Sequence, residues 1–110
     1  MVLKCKVLDL NHDDMTEGIA RKFINAGYQV RKNLEYSFTK YKGEIDVLAL
    51  DLDNKIAIAI EIKTHHTNKQ YLKAIKQLHK HDGVLRDNLG FKVYKIYKLY
   101  CSNELERMVL

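Results

Sequence analysis

The feature that most constrains the fold of this 110-residue sequence is the stretch from Gly43 to Lys63, GEIDVLALDLDNKIAIAIEIK. From Lys55 to Lys63 the isoleucines occupy every second position, at 56, 58, 60 and 62, against Ala57, Ala59, Glu61 and Lys63. A period of two is typical of a β-strand with one buried face. A looser alternation from Glu44 to Asp51 predicts a second strand. The Asp53–Asn54 pair between them predicts a two-residue hairpin turn, because both residue types tolerate positive φ.

That turn fixes a register for the hairpin. Leu52 then pairs with Lys55, and each later pair lies one step further along both strands, so Asp46 stands opposite Glu61 with Cβ atoms about 5 Å apart. Lys63 lies on the same face. Facing carboxylates repel unless a cation lies between them, and Mg²⁺ is commonly held by one or two carboxylates. The alternative is a solvated polar face in which each carboxylate pairs with a neighbouring lysine.

These residues resemble those of a known nuclease superfamily. Asp46, followed after a hairpin by Glu61-Ile62-Lys63, is similar to the motif of the PD-(D/E)xK nucleases. The sequence GEID…EIKT resembles that of their archaeal Holliday-junction-resolvase-like and RecB-like branches. The resemblance covers roughly residues 15–78. It implies a restriction-endonuclease-like α/β core, in which a mixed central β-sheet is flanked by helices.

The resemblance also implies roles for particular residues. Asp46 and Glu61 would bind Mg²⁺ or Mn²⁺, with the backbone carbonyl of Ile62 as a further ligand, and Lys63 would assist the attacking water. Glu17 matches a glutamate on the preceding helix that often completes the site. Related nucleases often carry a glutamine on the following helix, for which Gln77 is the favoured candidate and Gln70 the other.

Two departures from the family pattern concern the substrate more than the chemistry. Ile45 stands where the motif name has proline, a common substitution in the superfamily. The basic Gly-Ser segment that precedes the helix in junction resolvases is absent, which puts a junction substrate in doubt.

Length, charge and composition narrow the class of protein. We expect one domain over residues 1–110, because this length leaves no room for a second. The hydrophobic content of 46% and charged content of 30% fit a soluble globular chain. No apolar run of membrane-spanning length and no signal-peptide pattern is present, so we expect a cytoplasmic protein without a membrane partner. The net charge of +5 suggests a polyanionic partner.

The remaining segments give a coarse order of helix, three strands, helix and strand. Asn11 to Ala26 predicts a helix capped by Asp13 or Asp14, in which Glu17 is alternatively the third residue of a capping box. Tyr28 to Phe38 predicts a strand near an edge. Gln70 to His81 predicts a helix whose inward stripe is Tyr71, Leu72, Ile75 and Leu78, with lysines 69, 73, 76 and 80 outward. Gly83 suggests a break, although residues 84–89 could continue as a helical turn. Residues 1–10 fit either a short strand or the lead into a helix.

Several features near the C-terminus leave alternatives open. Phe91 to Cys101 predicts a strand in which tyrosines 94, 97 and 100 alternate with lysines 92, 95 and 98. This is either a nucleic-acid surface or an edge strand with half-buried tyrosines. His65 and His66 fit exposed or phosphate-contacting residues better than metal ligands. Cys5 and Cys101 fit buried thiols better than a disulfide. Residues 102–110 predict a short helix with an apolar end.

The sequence, with this resemblance, thus predicts a Mg²⁺-dependent nuclease that hydrolyses DNA phosphodiester bonds, with structured or branched DNA among the candidate substrates. The alternative is a catalytically inactive nucleic-acid-binding module with the same fold. A third hypothesis is a small interaction protein whose positive charge concerns solubility. A homodimer is expected if both strands of a duplex or junction are to be cut, and the apolar C-terminus is one candidate interface.

Overall fold

A computed structural model of the chain describes residues 2–5, 10–37, 41–63, 67–99 and 106–109, with side chains over 14–37, 41–63 and 67–98. The elements in chain order are β1 (Val2–Cys5), α1 (Leu10–Asn25), β2 (Gln29–Ser37), β3 (Lys42–Asp51), β4 (Ile56–Lys63), α2 (Asn68–Gly83), a π-helical turn (Val84–Asn88), β5 (Lys92–Leu99) and β6 (Glu106–Val109). The strands form one sheet in chain order, β1 to β6. Only β4 and β5 run parallel, and every other described pair is antiparallel.

This arrangement confirms the predicted fold class, a mixed sheet with flanking helices. Two apolar clusters lie on opposite faces of the sheet, and each is covered by one helix. The α1 cluster is built on Ile19, Val47, Ile60 and Ile62. The larger α2 cluster contains Ala57, Ala59, Ala74, Leu78 and Tyr97 with Leu34, Tyr36 and other buried residues. Strand β4 supplies both, because its alternating side chains point to opposite faces of the sheet.

The hairpin register is confirmed. Strands β3 and β4 pair from Asp51 with Ile56 to Val47 with Ile60, as the predicted pairing of Leu52 with Lys55 requires. The turn differs in detail, because the positive φ of 56° falls on Lys55 and not on Asp53 or Asn54. The Asp51 carboxylate accepts hydrogen bonds from the backbone and side-chain nitrogens of Asn54, at 3.3 and 2.8 Å. A side-chain cap therefore holds this turn.

Both predicted helices exist, with corrections at their ends and faces. Helix α1 begins by Leu10, so Asp13 and Asp14 lie inside it and neither is its N-cap; Gly27, at φ 96°, follows its C-terminal end. Helix α2 is capped by Thr67, whose hydroxyl accepts a hydrogen bond from the Gln70 amide. Its inward face is Ala74, Leu78, His81 and Asp82. Leu72 was predicted to face inward and is 59% exposed.

Two predictions for the C-terminal part were wrong. Strand β5 is not an edge strand, because β6 pairs with it, and residues 106–109 form that strand and not a helix. Tyr97 is fully buried and packs edge-on against Tyr71, while Lys95 and Lys98 are buried. The Tyr/Lys alternation of β5 is therefore not a nucleic-acid surface at these positions.

Residues 64–66, 100 and 101 lie outside the described residues, as does the side chain of Cys5, so the predictions for His65, His66 and the cysteines have no structural outcome.

None of the helices in the described ranges combines the length and apolar character needed to cross a membrane.

Candidate functional site

The site lies where β3 and β4 part. Beyond Val47 and Ile60, β3 continues to pair with β2 as far as Lys42, and β4 continues to pair with β5 as far as Lys63. Asp46 and Glu61 are the first residues past the end of their shared ladder. The Ile62 amide donates a 2.7 Å hydrogen bond to Oδ2 of Asp46. Here a side-chain carboxylate takes the acceptor role that a neighbouring strand's carbonyl has elsewhere in the sheet.

The two carboxylates are close and buried. Asp46 is 7% exposed and Glu61 is 2% exposed, and the two side chains lie within hydrogen-bonding reach of each other. Burial raises the pKa of Glu61 well above its usual range, and the negative charge of Asp46 raises it further, while Lys63 acts in the opposite direction. The charge of the half-buried Lys63 thus acts on Glu61, and the catalytic role of Lys63 stays a prediction.

His81 is not among the site residues predicted from the sequence, yet it contacts Glu61 directly. Its side chain is fully buried on α2, and Nε2 lies 2.9 Å from Oε1 of Glu61. Nδ1 lies 2.7 Å from the hydroxyl of Tyr36 on β2. Burial, followed by the charge of Lys80, lowers the pKa of His81 to about 4, so the ring is neutral at pH 7 and the contact with Glu61 is a hydrogen bond and not an ion pair.

A neutral imidazole has one donor and one acceptor nitrogen. Because a hydroxyl can donate or accept, Tyr36 matches either tautomer of His81. An ionised Glu61 requires Nε2–H, and Tyr36 then donates to Nδ1. A protonated Glu61 donates to a bare Nε2, and Tyr36 then accepts. Burial raises the pKa of the Tyr36 hydroxyl far above its usual range, which keeps its proton available.

Asn33 marks a second feature next to the pair. It sits opposite Asp46 in the β2–β3 register, between the pairs Lys32–Val47 and Leu34–Ile45, and the ladder is interrupted there. Its φ of 50° is uncommon for a residue other than glycine. Its Oδ1 is buried and accepts no hydrogen bond within the described part of the chain. Strained backbone of this kind often occurs at functional sites.

Glu17 is not brought to the pair. Thr16, Ile19 and Ala20 form the buried face of α1, which turns Glu17 outward, where it is ion-paired with Lys32. Its side chain is 53% exposed. No three His, Cys, Asp or Glu side chains among the described residues form a group that could hold a metal ion. The capping-box role is also excluded, because α1 has already begun several residues earlier.

The two candidate glutamines lie at different places on α2. Gln77 lies one turn before His81, and its buried Oε1 accepts no hydrogen bond within the described residues, so its catalytic role stays a prediction. Gln70 lies in the first turn of α2. Ala57 and Ala59 are both fully buried in the α2 cluster, so this face of β4 is closed beside Glu61.

The donor set fits a hard divalent cation. Two carboxylates lie side by side in a place where burial and mutual repulsion disfavour two negative charges. Mg²⁺ is commonly held by one or two carboxylates and keeps several waters. The predicted third ligand, the Ile62 carbonyl, belongs to the residue whose amide anchors Asp46.

The fold places the protein in the class of α/β proteins that have a mixed sheet with one helix on each face. Two solved structures share it. A crystal structure of a protein of unknown function, AF1548, matches with a TM-score of 0.54 and 18% identity over 83% of this chain and 49% of that chain. The structure of EndoMS in complex with double-stranded DNA matches with a TM-score of 0.56 and 24% identity over 87% of this chain and 40% of that chain.

The chain therefore spans less than half the length of each of these two proteins, and at these identities the likeness establishes a shared fold. No protein-family model and no curated protein matches the sequence.

Proposed function

We propose that this protein is a metal-dependent nuclease that hydrolyses DNA phosphodiester bonds. The observation that carries the proposal is the meeting of Asp46 and Glu61 at the point where β3 and β4 separate, with Lys63 electrostatically coupled to Glu61. A mixed sheet shared with EndoMS, which was solved on double-stranded DNA, supports a DNA substrate. Exposed lysines on the outer face of α2, Lys69, Lys73 and Lys76, offer phosphate contacts.

The residues have distinct tasks in this proposal. Asp46 and Glu61 would hold Mg²⁺ or Mn²⁺, together with the Ile62 carbonyl. When bound, the ion would neutralise phosphate charge and lower the pKa of a coordinated water. In hydrolysis the water oxygen bonds to phosphorus, one P–O ester bond breaks and the leaving oxygen takes a proton. Lys63 would orient the water and offset negative charge that develops on the phosphate. Cutting of both strands would need two copies of the site, which is why we retain a homodimer as part of the proposal.

The test is cleavage of labelled duplex, single-stranded, flap and four-way-junction DNA in Mg²⁺, Mn²⁺ or EDTA. We expect metal-dependent cutting by the parent protein. Lys63→Ala should lower the rate by about 100-fold or more, the scale seen when one group that stabilises transition-state charge is removed. Asp46→Asn should abolish cutting and leave DNA binding intact, because it removes negative charge without removing any lysine. Lys92→Ala and Asp53→Asn, at exposed positions outside the site, are the matched controls.

A second candidate function is a DNA-binding module without catalysis. It is favoured because no group of three His, Cys, Asp or Glu side chains in the described ranges could hold a metal ion. It predicts salt-dependent DNA binding with no cutting in either metal. Metal-dependent cutting that survives Asp46→Asn would instead rule out the proposed site.

A further inference from the structure

A contact with His81 holds the Glu61 side chain in place. A glutamate side chain has three rotatable bonds, and a metal ligand must be presented in one of its rotamers. Glu61 lies at the end of its ladder with β3, where pairing no longer constrains its surroundings. One of its oxygens contacts His81, and the Asp46 side chain lies within hydrogen-bonding reach of it. The contact with His81 fixes the direction of the carboxylate.

His81 is itself held from behind. Its ring is fully buried, and the Tyr36 hydroxyl meets the nitrogen that faces away from Glu61. The two rings also pack edge-on, with centroids 5.5 Å apart and planes at 82°. The position of His81 is therefore set by a neighbour from a different strand, which leaves the imidazole one orientation towards Glu61.

The backbone of Gly43 lies directly against the ring and hydroxyl of Tyr36. A Cβ added at Gly43 would lie 2.5 Å from the Tyr36 hydroxyl oxygen and 2.6 Å from Cζ, both closer than side chains tolerate. Tyr36 and Gly43 are paired residues of β2 and β3. The absence of a side chain at position 43 thus gives the Tyr36 hydroxyl the space from which it reaches His81.

We propose that Tyr36 and His81 are positioning residues that orient Glu61 for the divalent cation, with Gly43 making room for the Tyr36 hydroxyl. The inference rests on the proposed function, because it assigns to Glu61 the role of metal ligand. It adds three residues to the site, of which Tyr36 and His81 lie outside the hairpin. Outer residues that hydrogen-bond metal ligands typically contribute about 10- to 100-fold to metal affinity.

The decisive measurement is Mn²⁺ binding to the DNA-free protein by electron paramagnetic resonance and calorimetry. His81→Leu keeps an apolar side chain of similar bulk and has no donor, so we expect about 10-fold weaker binding or more. His81→Gln places an amide NH₂ near the position of Nε2 and should recover most of the affinity. Tyr36→Phe and Gly43→Ala should both weaken binding by an intermediate factor, one by removing the hydroxyl and the other by displacing it.

His79→Gln is the matched control, because His79 is exposed on the same helix. Each variant is checked by circular dichroism and thermal melting, and binding is expressed per folded molecule. Single-turnover cleavage should show the half-maximal Mn²⁺ concentration raised by the same factor as the dissociation constant. DNA affinity in EDTA should be unchanged.

The results separate this inference from the proposed function. Wild-type affinity for Mn²⁺ in folded His81→Leu would overturn the positioning role and leave the nuclease proposal standing. Equal loss in His81→Leu and His81→Gln would also overturn it, because a donor would then not be what matters. If the wild type binds Mn²⁺ and the variants follow the predicted order but no DNA is cut, the positioning role is supported and the nuclease proposal fails. Absence of Mn²⁺ binding by the wild type would overturn both.

Discussion

The two faces of the sheet differ although one strand builds both. On the α1 face, β4 contributes Ile58, Ile60 and Ile62, which pack with Ile19 and Val47. On the α2 face, the same strand contributes Ala57 and Ala59 and then Glu61, and this face also buries a histidine and the Lys95–Asp82 ion pair. The α1 face is mostly apolar, and the lining of the cavity of about 180 Å³ beside it includes the buried Lys98. The α2 face carries the buried carboxylate, histidine and ion pair.

The difference shows how a small domain can hold a buried charged site. Apolar burial contributes about 25 cal/mol per Å² without any specific partner, so the α1 face can stabilise the fold through bulk alone. Buried polar groups stabilise nothing unless each has a partner. The short alanines let α2 approach the sheet, and this approach brings His81 within hydrogen-bonding distance of Glu61. The predictions below test whether the two faces divide stability and chemistry in this way.

The largest effect on stability is expected on the α1 face. Ile60→Ala should lower the free energy of unfolding by about 2–5 kcal/mol, because it removes a fully buried branched side chain and leaves a cavity. Urea denaturation monitored by circular dichroism measures this directly. Ile24→Ala, on the exposed side of α1, is the control and should change stability by less than about 0.5 kcal/mol. A similar loss in both variants would contradict the assignment of the α1 face.

The next effect concerns the ion pair on the α2 face. Lys95 lies 2.8 Å from Asp82 with little of either side chain exposed, and Arg86 reaches the other carboxylate oxygen at 3.5 Å. Lys95→Ala should cost about 3 kcal/mol in denaturation experiments, because it leaves a mostly buried carboxylate. The double variant Lys95→Met with Asp82→Leu should recover most of that loss. If the double variant is no more stable than Lys95→Ala, the loss of stability reflects packing and not the unpaired charge of the Asp82 carboxylate.

A smaller effect of opposite sign is expected at Glu61. The pKa of Glu61 is raised in the folded protein, so its contribution to stability is complete below the unfolded pKa near 4.5 and is lost as the pH rises through the folded value. Glu61→Gln does not ionise and should therefore melt higher than the parent at pH 8, by about 5 °C for a change of roughly 1 kcal/mol. The advantage should shrink towards pH 5. Thermal melts in EDTA provide the measurement.

The control for Glu61→Gln is Asp53→Asn on the exposed hairpin turn, whose melting difference from the parent should not change with pH. A lower melting temperature for Glu61→Gln at pH 8 would show that the carboxylate stabilises the metal-free protein.

The smallest effect on stability is expected at Asn33. Before and after this residue, side chains of the same parity in β2 point to opposite faces of the sheet. Val30 packs in the α1 cluster, whereas Leu34 and Tyr36, at positions of the same parity, pack in the α2 cluster. Asn33→Gly should raise stability by less than about 1 kcal/mol, because glycine relieves the positive φ and removes a buried acceptor, against its own loss of chain entropy. Lys55→Gly, at the other described non-glycine residue with positive φ, is the comparison and lacks the buried acceptor. Marked destabilisation by Asn33→Gly alone would show that the amide side chain holds the two strands together.

The sequence predicts the part of the site that lies within one hairpin. The predicted turn pairs Leu52 with Lys55, and the alternation in β4 sets the face of each side chain, so the meeting of Asp46 and Glu61 follows from local pattern. His81 could not be found in this way, because a histidine near the end of a basic helix has no local signature. Its role depends on how α2 is rotated. The predicted stripe through Leu72 placed that rotation incorrectly, since Ala74, a small residue, faces the sheet and not the larger leucine beside it.

The errors elsewhere have a similar origin. Glu17 is one residue from Thr16, and in a helix that step is enough to move a side chain from the core to the surface. Lys95 and Lys98 look exposed in a basic segment, yet β6 pairs beside them and converts an expected edge into an interior strand. Pairing between distant segments decides such positions, and no window of neighbouring residues contains it.

The parallel pairing of β4 with β5 has a consequence for the order in which the protein folds. The β2–β3–β4 segment is joined by short connections and can form by local zipping, whereas β5 meets β4 only after the intervening chain with α2 has closed over the sheet. Contacts at such sequence separation form slowly, because loop entropy is lost before any pairing is gained. The contact of Glu61 with His81 belongs to this late step. In refolding followed by hydrogen exchange, we expect the amides of β2–β3–β4 to be protected before those of α2 and β5.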